Sequence, residues 1–482
     1  MDSWYQPRSL VVVTNREPYV DEKTASGIRR LETAGGVVSA LDPVLRQVHG
    51  AWVAWGSGSG DRETAPHGVR MVPPQAPEYT LHRIFLSPEE VNGYYNHYAN
   101  QGLWPLSHML IERTQFARED FQIYRTVNRK FARRTAQIAP QNGAIFSHDY
   151  QLALFPRLIR EMRPDVAVAH FWHIPWPPFT IFRLCPQHQE IVRGLLGADI
   201  LGFQTPQDVD NFLTAVERGL KYPVDRETLT IKLPNREVTV RDYPISVDIT
   251  AIEKMVESPR IVRWTRAIRH KAESYQVMLG ISVDRGDYTK GLLQRLMALE
   301  EFLERYPEYQ GRIVFLQIVV PTRTAVREYR LLHQKVTDES ARLNRKFAQN
   351  GWQPIIHVPR SLDRPRLMGL FRAADFAIVS SLFDGMNLVA KEFISAQLDN
   401  RGVLLLSETA GAAAELDEAF HFNPLDSGNF ADQLAHALQT PIRERVQRIQ
   451  LMRQHIHHHT IYDWMRQIVG TLDQVAQDYA SR

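Results

Sequence analysis

Two cations five residues apart, Arg285 and Lys290 in SVDRGDYTKG, follow the apolar run VMLGI across a glycine-containing turn. That spacing lets both converge on one anion while the loop backbone adds N–H donors, which suits a diphosphate whose charge grows as a bond to it breaks. The competing reading is a solvated turn in which Arg285 pairs with Asp284 or Asp287. A third cation, Arg323, stands in the same relation to IVFLQIVVPT. In LFDGMNLVAKE (382–392), Asp384 and Gly385 read as a turn and the residues after them as a helix. Its expected apolar stripe is Leu388, Val389, Phe393 and Ala396, and the helical period puts Glu392 on that side. A carboxylate there can accept hydrogen bonds from sugar hydroxyls, and free N–H groups of the first turn can meet a phosphate. The alternative is a buried glutamate paired with Lys or Arg.

Earlier in the chain, LVVV runs into Thr14-Asn15-Arg16, AIFS is followed by HDY, and VAVAHFW by HIPWPP. Asp149 and His173 therefore lie where apolar runs stop, with prolines restricting the chain after His173. Gly35 and Gly36 open a helical pattern, VVSALDPVLRQV, and could let backbone N–H groups approach a phosphate, although a Gly-Gly pair is usually just a turn. No GxGxxG or GxxxxGK[ST] occurs, which removes sequence support for dinucleotide and P-loop classes.

The elements that must hold these groups are short apolar strands: 10–13, 144–146, 166–172, 277–283, 313–320, 354–358, 376–380 and 403–407. Helix-length stretches such as SPEEVNGYYNHYANQGLW and LLQRLMALEEFLERYP separate most of them. Continuous apolar strands alternating with helices predict an α/β class with parallel sheets covered on both faces. Ligands of such sheets bind beyond the carboxyl ends of the strands. TLTIKLPNREVTVR (228–241) reads instead as an antiparallel hairpin around Pro-Asn-Arg. A boundary is expected near YPISVDI (243–249), giving domains 1–245 and 246–460, with 461–482 a helix packing back toward the first.

Two other signals are read as structural. In TPQDVDNF, the Asp208-Val209-Asp210 triplet is better explained by helix initiation, with Thr205 as N-cap, Pro206 at N1 and Asp208 as the third-position acid. The glycine-rich run 56–61 follows strand-like AWVAW with no helical pattern after it and reads as a loop. HIHHH (455–459), interrupted by Ile456 and lacking a carboxylate at ligand spacing, does not suggest a metal site.

With 57 basic and 54 acidic residues in 482, spread without polybasic runs, nucleic acid is not the expected partner. One cysteine, Cys185, excludes an intramolecular disulfide and suits a reducing compartment. No long apolar N-terminal segment or run of 18 apolar residues is present, so a membrane is not expected and the location is read as cytoplasmic. Self-association into a homo-oligomer is compatible with all of this.

In order along the chain, NR, AGG, YYNHYANQGLWP, HDY, HIPWP, LLGADILGFQT, DRGDYTKG, ARLNRKFAQNGW, DGMNLVAKE and LSETAGAAAEL resemble the trehalose-6-phosphate synthase family. The resemblance runs from about residue 9 to about 470. It implies a GT-B fold, two Rossmann-like domains facing across a cleft, and a metal-independent, cofactor-free, retaining transfer of glucose from a nucleotide sugar to a sugar phosphate. It further implies that Gly35, Gly36, Arg285 and Lys290 meet the donor diphosphate, and that Leu388, Val389, Ala390, Lys391 and Glu392 hold ribose and diphosphate. Asp384 would bind the donor glucose hydroxyls, His173 would lie near the reacting carbon, and Leu362 would face the base. Arg16, Tyr95 and Arg323 would bind the acceptor phosphate, Asp149 its hydroxyls, and Trp104 would shape the pocket. Gly286 and Phe383 depart from the family pattern, and the Asn-Arg-Glu-Pro-Tyr start is also similar to glucosylglycerol-phosphate synthases. Glycerol 3-phosphate or a cyclitol phosphate therefore stays open as acceptor. A silent sugar-phosphate sensor is the reading from another class, and the retained charged positions argue against it.

Overall fold

The Val-, Ile- and Phe-rich runs all become strands, and most are buried from end to end, as strands covered on both faces must be. The computed structural model describes residues 10–33, 36–323 and 326–481, so Gly35 lies outside the described residues. The chain divides into two compact units, Met1–Pro244 with Tyr462–Arg482, and Ile245–Ile461.

The first unit holds a ten-stranded sheet. Its parallel centre runs Arg236–Asp242, Ile200–Phe203, Ala167–Phe171, Ala144–His148, Leu10–Val13, Ala51–Trp55 and Tyr79–Ile84, each paired with the next. Antiparallel strands close both edges: Val69–Val72 at one, Thr230–Leu233 and Val224–Asp225 at the other. The expected hairpin is present, with Leu233 opposite Arg236 across Pro234-Asn235. A separate hairpin, Tyr19–Thr24 with Gly27–Glu32, follows Arg16 directly. The glycine-rich loop at 56–60 leads into a single helical turn, Asp61–Thr64, which the sequence pattern did not predict; four residues are too few to show a period. Thr205 and Asp208 form the reciprocal cap expected of them. The closing helix, Ile461–Ser481, belongs to the first unit from Tyr462 onward. Its Trp464 donates from Nε1 to the carbonyl of Tyr243 at 3.0 Å, and the Tyr479 hydroxyl donates to Asp199 at 2.8 Å.

The second unit is built on a fully parallel six-stranded sheet in the order Ile355–Val358, Ile313–Val320, Met278–Arg285, Phe376–Val379, Val403–Ser407 and Phe420–Phe422. Helices Leu292–Arg305, Arg327–Phe347, Arg364–Ala373 and Leu388–Ala396 connect these strands. Among the described residues no helix is long and apolar enough to cross a membrane.

Gly291 joins Lys290 to the helix Leu292–Arg305 at φ +60°, and a Cβ there would lie 2.0 Å from the carbonyl oxygen of Ser380. The left-handed conformation and the backbone contact both require glycine. Gly291→Ala should destabilise the protein by about 2 kcal/mol or more, read as a lowered thermal midpoint; an unchanged midpoint would contradict this account of the turn.

Candidate active site

In the first unit three adjacent parallel strands end together, and each carries one expected site residue just beyond its carboxyl end. Arg16 follows Leu10–Val13, Asp149 follows Ala144–His148, and His173 follows Ala167–Phe171. Arg16 is exposed, while both its neighbours are buried and held. Asn15 accepts from the Tyr94 hydroxyl at 2.9 Å, and Glu17 accepts from Arg83 Nε at 2.6 Å and from the Ser57 N–H at 2.8 Å. Burial, together with a hydrogen bond to Asp61, raises the pKa of Glu17 to about 8 against the pull of Arg83. Arg83 also reaches Asp61 at 3.0 Å and the Tyr19 carbonyl at 2.8 Å, which ties the 19–32 hairpin to the sheet. Asp21 in that hairpin binds Arg30 and Arg70 at 2.6 and 2.9 Å.

Asp149 sits at φ 72°, donates its N–H to Phe171, and accepts from the His173 N–H at 3.2 Å. Tyr95 lies in the helical stretch Val91–Leu103, its ring 5.4 Å from Trp55. Trp104 follows directly and packs on His108 and Tyr150, at 4.3 and 5.7 Å. Gly36 is the first residue of the helix Gly36–Val48, as the pattern required.

The second unit repeats this geometry. Arg285 ends the strand Met278–Arg285, Arg323 follows Ile313–Val320, and Asp384 follows Phe376–Val379; these strands are neighbours in the sheet. Their ends are cross-braced by buried Arg295, which donates to Asp284 at 2.8 Å, Ser380 at 3.1 Å and Gln317 at 3.3 Å. Asp284 is therefore the partner of Arg295, not of Arg285. Asp287 is the central group of the cation cluster: fully buried, it lies 3.4 Å from Arg323 and 3.9 Å from Arg285, and accepts from the Thr289 N–H. Burial alone would raise its pKa, but Arg323, Arg285 and Lys290 outweigh that and hold the carboxyl below its ordinary value. From the sequence pattern alone, Asp287 is only one of two counter-ions open to Arg285 in a solvated turn. Its signal was its place between the two cations, within the same short turn.

Lys290 pairs with Asp384, whose carboxylate also accepts from Ser381 and Asn387, each at 3.0 Å. Three cations thus face two carboxylates, Asp287 and Asp384, at the strand ends. A Cβ at Gly286 would lie 2.8 Å from the His333 ring, the end of a side chain that can turn aside, so this contact does not by itself require glycine.

The helix Leu388–Ala396 requires a correction. Phe393 and Ala396 are buried, but Leu388, Val389 and Glu392 share a half-exposed face, so the expected apolar stripe is split. Glu392 is recessed there, 3.6 Å from Arg364; burial raises its pKa although Arg364 opposes it. The charge sealed into the core is Lys391, which donates to the Ile245 carbonyl at 2.9 Å and Glu415 at 2.6 Å. Its side chain is a brace, and the N–H of buried Ala390 already donates to the Asn387 carbonyl at 3.3 Å. Leu362 is half-buried, immediately before Asp363, the N-cap of Arg364–Ala373.

Two of the HIHHH histidines are engaged with carboxylates, His455 3.2 Å from Glu415 and His457 2.9 Å from Glu253, while His458 and His459 bond to the carbonyls of Gln454 and His455. Among the described residues no group of three or more His, Cys, Asp or Glu is arranged to hold a metal ion.

The pKa of Glu17 is raised in the folded state, so its contribution to stability is present below about 4.5 and lost as pH climbs through about 8. Glu17→Gln, which mimics the neutral acid, should flatten the fall of the thermal midpoint across that range; parallel curves for the two proteins would refute the assignment.

The match to known proteins covers almost the whole chain. The model of glycosyltransferase family 20 fits residues 8–474. A bifunctional trehalose-6-phosphate synthase/phosphatase of Thermoproteus tenax is 36% identical over 474 residues, 96% of this chain and 63% of that protein, so the chain spans less than two thirds of that relative. A UDP-forming alpha,alpha-trehalose-phosphate synthase from Burkholderia xenovorans, solved with glucose-6-phosphate, has a TM-score of 0.86 at 32% identity, covering 96% of this chain and 100% of the other. The trehalose-6-phosphate protein of E. coli bound with UDP-2-fluoro glucose has a TM-score of 0.87 at 31% identity, covering 97% and 99%. The two parallel-sheet units, the polar groups at their strand ends and the match over residues 8–474 place the chain in glycosyltransferase family 20, with the GT-B fold of the trehalose-6-phosphate synthases.

Proposed function

We propose that the protein transfers glucose from UDP-glucose to glucose 6-phosphate with retention at the anomeric carbon, giving trehalose 6-phosphate. The observation that carries this reading is the ring of Arg285, Lys290 and Arg323 around buried Asp287 at the strand ends of the second unit. Relatives solved with a UDP-sugar analogue and with glucose-6-phosphate support the choice of donor and acceptor.

In this reading Arg285 and Lys290 meet the departing diphosphate, with Gly36 contributing its backbone N–H. Glu392 accepts from the ribose hydroxyls, Leu388 and Val389 in the first turn offer their N–H groups, and Leu362 faces the base. Asp384 accepts from the glucose hydroxyls. Its carboxylate is already engaged by Lys290, Ser381 and Asn387, which suits a binding group better than a nucleophile. The acceptor phosphate is met by Arg16, Tyr95 and Arg323, Asp149 binds the acceptor hydroxyls, and Trp104 walls the pocket.

In this reading no side chain acts as nucleophile, and the acceptor hydroxyl attacks on the face from which the diphosphate leaves. The new bond forms between that oxygen and the anomeric carbon, the old bond to the phosphate oxygen breaks, and the departing oxygen takes the hydroxyl proton. The protein supplies orientation and positive charge. The reading requires no metal, since the cations occupy the place where one would neutralise the diphosphate.

Arg285→Ala should lower kcat/KM by about a hundredfold or more in an assay of UDP release. The thermal midpoint should hardly move, because Arg285 is more than a third exposed and its pair with Asp287 is long. Near-full turnover would remove Arg285 from the mechanism. Activity should also survive exhaustive treatment with EDTA; loss restored by a divalent cation would refute the metal-free reading.

A further inference from the structure

Three histidines, His148, His170 and His173, lie at or just beyond the ends of adjoining strands in the first unit, and only His173 has a part in the proposed chemistry. His148 Nδ1 lies 3.1 Å from His173 Nε2. The pair is enclosed by aromatic rings: Phe146 is 4.1 Å from His148, Phe171 is 4.6 Å from His173, and Trp464 of the closing helix stands 6.4 and 6.3 Å from the two. Among the described residues, and beyond the imidazoles themselves, an ionisable group in hydrogen-bond contact with the pair is Asp149, which accepts the His173 backbone N–H. Burial holds His148 well below its ordinary pKa and takes His170 and His173 down to about 3, with each other's rings adding to the effect on His148 and His170. All three are neutral at physiological pH, so each ring carries one proton on one of two nitrogens.

Which nitrogen carries it follows from the unpartnered atoms. His148 Nε2 is buried and, among the described residues, has no hydrogen-bond partner. An orphaned N–H there would cost the full desolvation of a donor, whereas a bare lone pair costs less. The His148 proton therefore belongs on Nδ1, which donates to His173 Nε2. Neighbouring His170 obeys the same rule. Its Nε2 is buried without a partner, and its Nδ1 lies 2.9 Å from a Ser147 hydroxyl whose own proton goes to the Ala169 carbonyl. Once His173 Nε2 accepts a hydrogen bond, the proton of its own neutral ring must reside on Nδ1.

We propose that His148 is a positioning residue that fixes the tautomer of His173, so that His173 presents an N–H donor, and no basic nitrogen, to the donor substrate. This rests on the placement of His173 near the donor sugar. Its consequence is that His173 binds a sugar or phosphate oxygen and does not serve as the general base, since its one lone pair is spent on His148.

The test uses the full-length protein labelled with 15N-histidine, without substrate. Long-range 15N–1H correlation reads which ring nitrogen is protonated, and loss of the signal in His173→Gln assigns it. His173 is expected as the Nδ1–H form. His148→Phe removes the donor and should shift His173 toward Nε2–H, lowering kcat/KM for UDP-glucose by about tenfold with the KM for glucose 6-phosphate unchanged. His148→Asn, whose amide NH2 falls near the former Nδ1–H, should keep the Nδ1–H form and recover most of the rate. Nε2–H in the unsubstituted protein, or a His148→Phe protein with unaltered tautomer and rate, would overturn the proposal. If His148→Phe does not fold, the unsubstituted spectrum and His148→Asn still decide. Unchanged donor kinetics in His173→Ala would instead remove His173 from the donor site and leave the tautomer assignment standing.

Discussion

Parallel strands all run out on the same side of a sheet, and the placement of the charged and polar groups at the strand ends depends on that constraint. Backbone pairing sets neighbouring strands about 4.8 Å apart, so the first side chains past their ends are brought within reach of one another without any specific contact between them. Arg16, Asp149 and His173 are gathered this way in one unit, and Arg285, Arg323 and Asp384 in the other. The sheets are therefore the means by which residues as far apart in the chain as Arg16 and His173 become neighbours.

Convergence alone would leave several like charges repelling one another, and the second unit resolves this with buried carboxylates. Asp287 is held ionised by the cations it faces, and Lys290 is balanced by Asp384. Arg295 sits beneath, bonded to Asp284, Gln317 and Ser380 from three strands, and locks the strand ends on which the site stands. A buried charge network of this kind adds little net stability, because desolvation offsets the Coulomb gain. What it supplies is geometry: the cations are preorganised for an anion before one arrives.

The first unit handles its charge differently. Arg16 is exposed while Glu17 beside it is buried and shifted toward the neutral acid, so the neighbouring carboxyl does little to cancel the cation meant for a phosphate. The histidines at the same rim are likewise neutral, and what they offer a ligand is set by which nitrogen bears the proton.

The sequence by itself determined the strands, the class of fold and the residues at the strand ends. Apolar runs of Val, Ile and Phe admit few alternatives, and short-range signals such as Thr205–Asp208 or Pro234-Asn235 act within four residues. The tertiary structure alone decided which charge in LVAKEF is sealed and which is available. Helical period placed Glu392 on the apolar side, yet Lys391 is the buried one, because its partners Glu415 and the Ile245 carbonyl come from 24 and 146 residues away. The pairing of His148 with His173 was hidden for the same reason. Burial and partnership depend on what packs against a residue, and local sequence carries no record of that.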